Sequence, residues 1–263
     1  MKRLIYQVNI GKRSKLYDHC IKSVADYCEA HNIDHVVQCT PILRIKPDVF
    51  ATNRSAESYE KHGGFLPIYE KENAFTYFDK YDQIAIIDAD IWIRPGVPNI
   101  FESLGQHEFG GVVERSMPIT STYANKIINY SRMQYGQLHH SKCDFKPDHL
   151  GFEFFNMGLM VMNKSILKYF KPGETARDFI MRPEFKDFVD GKGAWKWSTD
   201  QTLLNYWVKK EKMDVKYYNW KWNALYSAVK MDKIKEAYFV HFFLKDLLPN
   251  NGENVNELME MVK

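Results

Sequence analysis

Apolar residues follow two spacings along this chain. Some fall in short unbroken runs, at 4–8 (LIYQV), 83–87 (QIAII), 109–114 (FGGVVE), 152–165 (FEFFNMGLMVMNKS) and 238–243 (YFVHFF). Runs of this length without alternation predict strands covered on both faces, as in the middle of an α/β sheet. Others recur every three or four positions: Tyr17, Cys20, Ile21, Val24 and Cys28 predict a helix capped by Ser14 and ending near His31. With 34–40 (DHVVQCT) as the next strand, the chain opens β-α-β, the start of a doubly wound sheet. Ligands of such sheets bind beyond the carboxyl ends of the strands. A helix is expected through 70–79, feeding the 83–87 strand, then a short one after Pro98 and another over about 123–138. The helix LLNYWV follows Ser198 and Gln201, a capping-box pair, and 214–218 is a further strand. Gly158 is expected to interrupt the 152–165 strand, with Asn163 capping the helix after it. Residues 41–64 are polar and irregular, with a helical turn expected over 55–61.

Composition narrows the class. The 263 residues are 45% hydrophobic and 26% charged, ordinary for a soluble globular protein and enough for a substantial core. A net charge of +3 without a compact basic block argues against nucleic acid as a partner. Lys209, Lys210, Lys212 and Lys216 read as a solvated face, or as a weak peripheral contact with an acidic membrane surface. Cys20, Cys28, Cys39 and Cys143 show no CxxC pairing, as expected of free thiols in a reducing compartment. The opening MKRLIYQVNIGKR has too short an apolar run for a signal peptide, and no stretch is long enough for a membrane span. A cytoplasmic location is therefore expected. Aromatic residues make up 15%; most fill the core, while Trp195, Trp197, Trp220 and Trp222 are available to stack on sugar rings.

Candidate chemistry concentrates where the 83–87 strand ends in Asp88-Ala89-Asp90. Two carboxylates this close repel unless a cation sits between them, and hard divalent ions such as Mn²⁺ or Mg²⁺ prefer carboxylate oxygen. Lys71, Phe75 and Phe78 share a helix face at i, i+4, i+7, which delivers Lys71 near these acids, towards an anionic ligand. Gln7, Val8 and Asn9, at the end of the first strand, are placed to touch a base or ribose, although no GxGxxG follows them. His241 lies in an apolar strand and reads by itself as a packed core residue. His139, His140, Cys143 and His149 fit no standard zinc spacing.

Four motifs in order, IAIIDAD, FFNMGLMVMN, STDQTLLN and YFVHFFLK, resemble glycosyltransferase family 8, the family of glycogenin and the bacterial lipooligosaccharide galactosyltransferases. The resemblance spans nearly the whole chain. It implies a GT-A type, Rossmann-like mixed sheet flanked by helices, as one domain over 1–263. About 1–115 would form the nucleotide-binding half and about 116–263 the donor-sugar and acceptor half. It also implies a metal-dependent hexosyltransferase that takes a UDP-sugar donor and a glycan, glycolipid or glycoprotein acceptor. On the residues that match, Asp88, Asp90 and His241 are the implied ligands of Mn²⁺ (or Mg²⁺), and Ala89 and Lys71 contact the donor. Asn156 and Gly158 line the donor sugar, Asp200 and Gln201 lie near the anomeric carbon, and Lys245 serves the diphosphate. The family's ending His-x-x-Gly-x-x-Lys-Pro-Trp is HFFLKDLLP here, without the Gly and with Lys245 four places after His241 instead of six.

Retention of anomeric configuration is implied, and with no carboxylate clearly placed as nucleophile a front-face attack is expected. Two alternatives stay open: an inverting transfer with Asp200 as general base, and a non-catalytic sugar-nucleotide or carbohydrate-binding protein. A haloacid-dehalogenase-type phosphatase fits poorly, because Trp92 stands where those enzymes carry Thr or Val.

Overall fold

Four of the five unbroken apolar runs become the inner strands of one sheet, and the fifth, at 238–243, joins a smaller one. A computed structural model of the chain describes residues 1–11, 14–48, 63–140, 143 and 145–263. Its strands are β1 (Arg3–Val8), β2 (Asp34–Gln38), β3 (Gln83–Ile87), β4 (Ile91–Ile93), β5 (Phe109–Val113), β6 (Phe155–Asn163), β7 (Val215–Tyr217), β8 (Ala224–Leu225) and β9 (Phe239–His241). Six of them form a mixed sheet in the order β2-β1-β3-β6-β5-β7. β1 runs parallel to β2 and β3, β6 runs antiparallel to β3 and β5, and β7 is parallel to β5. Every residue of β3 and β5 is buried, as expected of strands with elements on both faces. A smaller sheet, β4-β9-β8, pairs β9 antiparallel to β4 and parallel to β8. This is the expected α/β class, a mixed sheet flanked by helices.

The first helix, Lys15–His31, buries Leu16, Cys20, Val24, Tyr27 and Cys28, and ends on Asn32 in the left-handed conformation. Ser14 occupies its cap position, but its hydroxyl donates to Glu253 instead of capping. The segment before β3 departs from expectation: Pro67–Asp79 is a continuous 3₁₀ helix rather than an α-helix over 70–79. At three residues per turn, Tyr69, Glu72, Phe75 and Phe78 stack in one row. All four are buried, none more than 4% exposed. Phe75 packs on Phe170, Phe179 and Trp207.

Other boundaries shift as well. Gly158 does not interrupt its strand; β6 runs through it, and the irregularity lies in the partner, between Gly111 and Val112. Asn163 caps nothing and donates to the carbonyls of Gly105 and His107 instead. The expected 123–138 helix is Ser121–Tyr135, capped by Thr120 and followed by a 3₁₀ turn, Gly136–His140. The turn expected over 55–61 lies outside the described residues. Among the described residues, Cys20, Cys28, Cys39 and Cys143 are free, and no helix is long and apolar enough to cross a membrane.

Candidate functional site

Strand β3 ends at Ile87 and β4 begins at Ile91, so Asp88-Ala89-Asp90 is the step from the large sheet to the small one. The Ile91 N–H donates to the Asp88 carbonyl at 3.1 Å and closes this step as a tight turn. The Asp88 N–H donates to the Gly158 carbonyl on β6 at 2.8 Å, and the Phe242 N–H donates to the Asp90 carbonyl at 2.9 Å. The two carboxylates therefore project from a backbone pinned on both sides. His241 ends β9, directly opposite Ile91 in the β4 register. Its Nε2 lies 3.2 Å from the Asp90 carboxylate and 3.7 Å from that of Asp88. One ligand atom from each of the three residues falls within 4.8 Å of the others, the only such group among the described residues. Gly158 makes room for the imidazole: a Cβ at that position would lie 2.6 Å from His241 Nδ1.

Charge behind this cluster is balanced by one lysine. Lys71 Nζ lies 2.9 Å from Asp88 and 2.7 Å from Asp200, and donates to the Met157 carbonyl at 3.2 Å. The ammonium thus donates to Asp88 and Met157 and forms an ion pair with Asp200. Burial alone would lower the Lys71 pKa, but the Asp200 and Asp88 carboxylates outweigh it and hold the ammonium above its ordinary value. Burial raises the Asp200 carboxyl against the pull of Lys71. It also pushes Asp90 up and His241 down, and in both cases their mutual attraction wins, leaving Asp90 below and His241 above the usual range. Glu72, the next residue of the 3₁₀ helix, is fully buried, and neither carboxyl oxygen has a hydrogen-bond partner among the described residues. Burial, with the nearby Asp200 charge, pushes its pKa well above the ordinary carboxylate range, which favours the neutral form.

Two concavities meet at the cluster. The larger, about 520 Å³, takes in Asn156, Gly158, Asp200, Gln201, His241 and Lys245. The smaller, about 300 Å³, is lined by Val8, Asn9 and Ala89. Tyr17, Ile68, Lys71, Asp88 and Asp90 belong to both. The residues singled out in the sequence thus converge on one cleft, with one correction. Gln7 does not reach it: the side chain is fully buried, with Oε1 2.9 Å from His35 Nε2 and Nε2 donating to the Asp88 carbonyl at 3.3 Å. It braces the acidic turn from beneath. Thr199, not Ser198, caps the Asp200–Lys210 helix. Gln201 Oε1 instead accepts from the Met157 N–H at 3.2 Å. None of the four tryptophans borders either concavity.

Sequence reasoning missed Glu114, which is buried at the end of the FGGVV run and lines the larger concavity. It accepts from the Tyr123 hydroxyl at 2.6 Å and from Asn156 Nδ2 at 2.8 Å. Asn156 Oδ1 in turn accepts from the Gly158 N–H at 3.0 Å and from Asn223 Nδ2 at 2.9 Å. The one available signal was an acid at a strand's carboxyl end. A further cavity of about 450 Å³, between the first helix and β4, shares none of the cluster's residues.

No protein-family model matches this chain, and no curated protein matches its sequence. Solved structures do. A glycosyltransferase involved in glycosylation of the major capsid of PBCV-1 aligns over 100% of both chains, at 12% identity and a TM-score of 0.48. A mannosyltransferase from S. cerevisiae aligns over 82% of this chain and 68% of its own, at 11% identity and a TM-score of 0.42. Mouse xyloside xylosyltransferase 1, in its apo form, aligns over 94% of this chain and 100% of its own, at 12% identity and a TM-score of 0.50. What this chain shares with the mouse enzyme is the fold.

Proposed function

We propose that this chain is a metal-dependent glycosyltransferase. It moves a hexose from a nucleotide sugar, with UDP as the expected nucleotide, to an acceptor hydroxyl on a glycan, glycolipid or glycoprotein. The observation that carries this reading is the meeting of two concavities at Asp88, Asp90 and His241. A nucleotide fits the smaller one, at the carboxyl end of β1, and the sugar and acceptor fit the larger. The fold shared with a xylosyltransferase supports the same reading.

Two carboxylates and one imidazole within 4.8 Å suit Mn²⁺ or Mg²⁺, and the buried His241 Nδ1, which has no hydrogen-bond partner, leaves Nε2 as the nitrogen facing the acids. Asp88, Asp90 and His241 would hold the ion, which when bound supplies Lewis-acid stabilisation of the departing nucleoside diphosphate. Lys245, which lines the larger concavity, adds a positive charge whose contact is the ring of Tyr17, with no carboxylate within 4 Å among the described residues. Lys71 keeps Asp88 and Asp200 in place. Asp200 lies 2.7 Å from Lys71 with its side chain 3% exposed, which disfavours it as a base for an acceptor proton. That supports retention, with the acceptor approaching the face from which the diphosphate leaves. Gln201, fixed through the Met157 N–H, borders the space left for the sugar.

Incubation with UDP-glucose, UDP-galactose and GDP-sugars in the presence of Mn²⁺ tests the proposal. Nucleoside diphosphate release that EDTA abolishes is the expected result. Tight binding of the nucleotide sugar with no release, even with acceptors supplied, would reduce the protein to a binding module. Release unaffected by EDTA would remove the metal.

A further inference from the structure

Lys71 and Lys245 both border the junction of the two concavities, but they are held differently. Lys71 is ion-paired with two carboxylates, Asp88 and Asp200, and donates to the Met157 carbonyl. Lys245 has no carboxylate within ion-pair distance among the described residues. Its ammonium lies instead over the ring of Tyr17, 3.6 Å from the centroid. Tyr17 comes from the opposite end of the chain, in the first turn of the Lys15–His31 helix, and its ring borders both concavities. The backbone aims the lysine towards that ring. Leu244 adopts a left-handed conformation at φ +57°, and the 3₁₀ turn Lys245–Leu247 follows directly.

We propose that Tyr17 is a positioning residue, whose ring holds the Lys245 ammonium at the junction of the two concavities in place for the donor's diphosphate. The proposal rests on the reading of this cleft as a nucleotide-sugar site. A free lysine samples many rotamers, and ordering it when the ligand arrives lowers affinity. A carboxylate could order it beforehand, but would neutralise the charge the diphosphate needs. An aromatic face attracts the cation through its quadrupole and leaves the full charge available to an anion. The lysine is ordered in advance and still unpaired.

A double-mutant cycle on the full chain tests this. Tyr17→Leu is expected to raise the donor KM about tenfold with kcat nearly unchanged, whereas Tyr17→Phe, which keeps the ring, returns KM to within about twofold of wild type. In a Lys245→Met background, Tyr17→Leu should add nothing. An equal effect of Tyr17→Leu in both backgrounds, or a Phe variant as impaired as Leu, overturns the proposal. A second measurement needs no nucleotide. After reductive ¹³C-methylation of lysines, the Lys245 N-methyl resonance should carry an upfield ring-current shift that Tyr17→Leu removes. Absence of that shift overturns the positioning whatever the enzyme does. If the shift is present and no nucleotide sugar binds, the positioning stands and the donor reading falls.

Discussion

Position 158 sets how close the histidine comes to the acids. With a Cβ 2.6 Å from His241 Nδ1, Gly158→Ala has to displace the imidazole, at a cost of about 1–3 kcal/mol. Mn²⁺ titration followed by electron paramagnetic resonance should then show affinity about tenfold weaker or worse. Unchanged affinity would mean that His241 is not a ligand. Glu72 makes a different prediction. Its carboxyl is raised in the fold and returns to the ordinary carboxylate value once unfolded, so between those two pKa values the folded state binds the extra proton. Stability therefore falls as pH rises through that window, by up to about 1.4 kcal/mol per pH unit. Glu72→Gln should flatten urea-unfolding stability as pH rises above the ordinary carboxylate range; parallel slopes for the two proteins would show that Glu72 is already charged in the fold. Asp88 and Asp90 were legible because their chemistry follows from a strand end. Lys71 does reach Asp88, but not on the α-helical face shared with Phe75 and Phe78 that pointed to it, because the segment is a 3₁₀ helix. Gln7 and Glu114 were not legible. Whether a polar side chain at a strand end faces ligand or braces its neighbours depends on partners in other elements, His35 for the first and Tyr123 for the second.

At the scale of elements, the strands were the most legible part, because an unbroken apolar run has few other ways to be buried. The segment before β3 was not. Phe75 and Phe78, three apart, satisfy both the α and the 3₁₀ repeat, and burial does not separate the two, because every residue from Tyr69 to Phe75 is buried. The stacked row is held by aromatic contacts, with Phe75 5.4 Å from Phe170, 5.5 Å from Phe179 and 6.0 Å from Trp207 between ring centroids. Phe75→Ala should cost about 3–5 kcal/mol in urea unfolding and, because the same helix carries Lys71, weaken donor binding as well. A loss below about 1 kcal/mol would mean that the row is not a packed core. Gly158 was misjudged for a related reason: a glycine in a strand suggests a break, whereas here it serves a side chain arriving from another sheet.

For the whole molecule, the acidic turn is shared property of two sheets, and an ion held there would tie them together. Mn²⁺ at about a hundred times its dissociation constant should add about 2.7 kcal/mol of stability, read as a rise in Tm that Asp90→Ala abolishes. An unchanged Tm at saturating Mn²⁺ would argue against the site. The register of β9 on β4, with His241 opposite Ile91, also fixes when the site comes into being. A chain made from its amino end presents Asp88 and Asp90 long before His241 emerges, so the acids wait with Lys71 and without the imidazole while residues 91–240 are made. Only once β9 has emerged and paired with β4 can the ligand set close, which makes ion capture a report on that pairing.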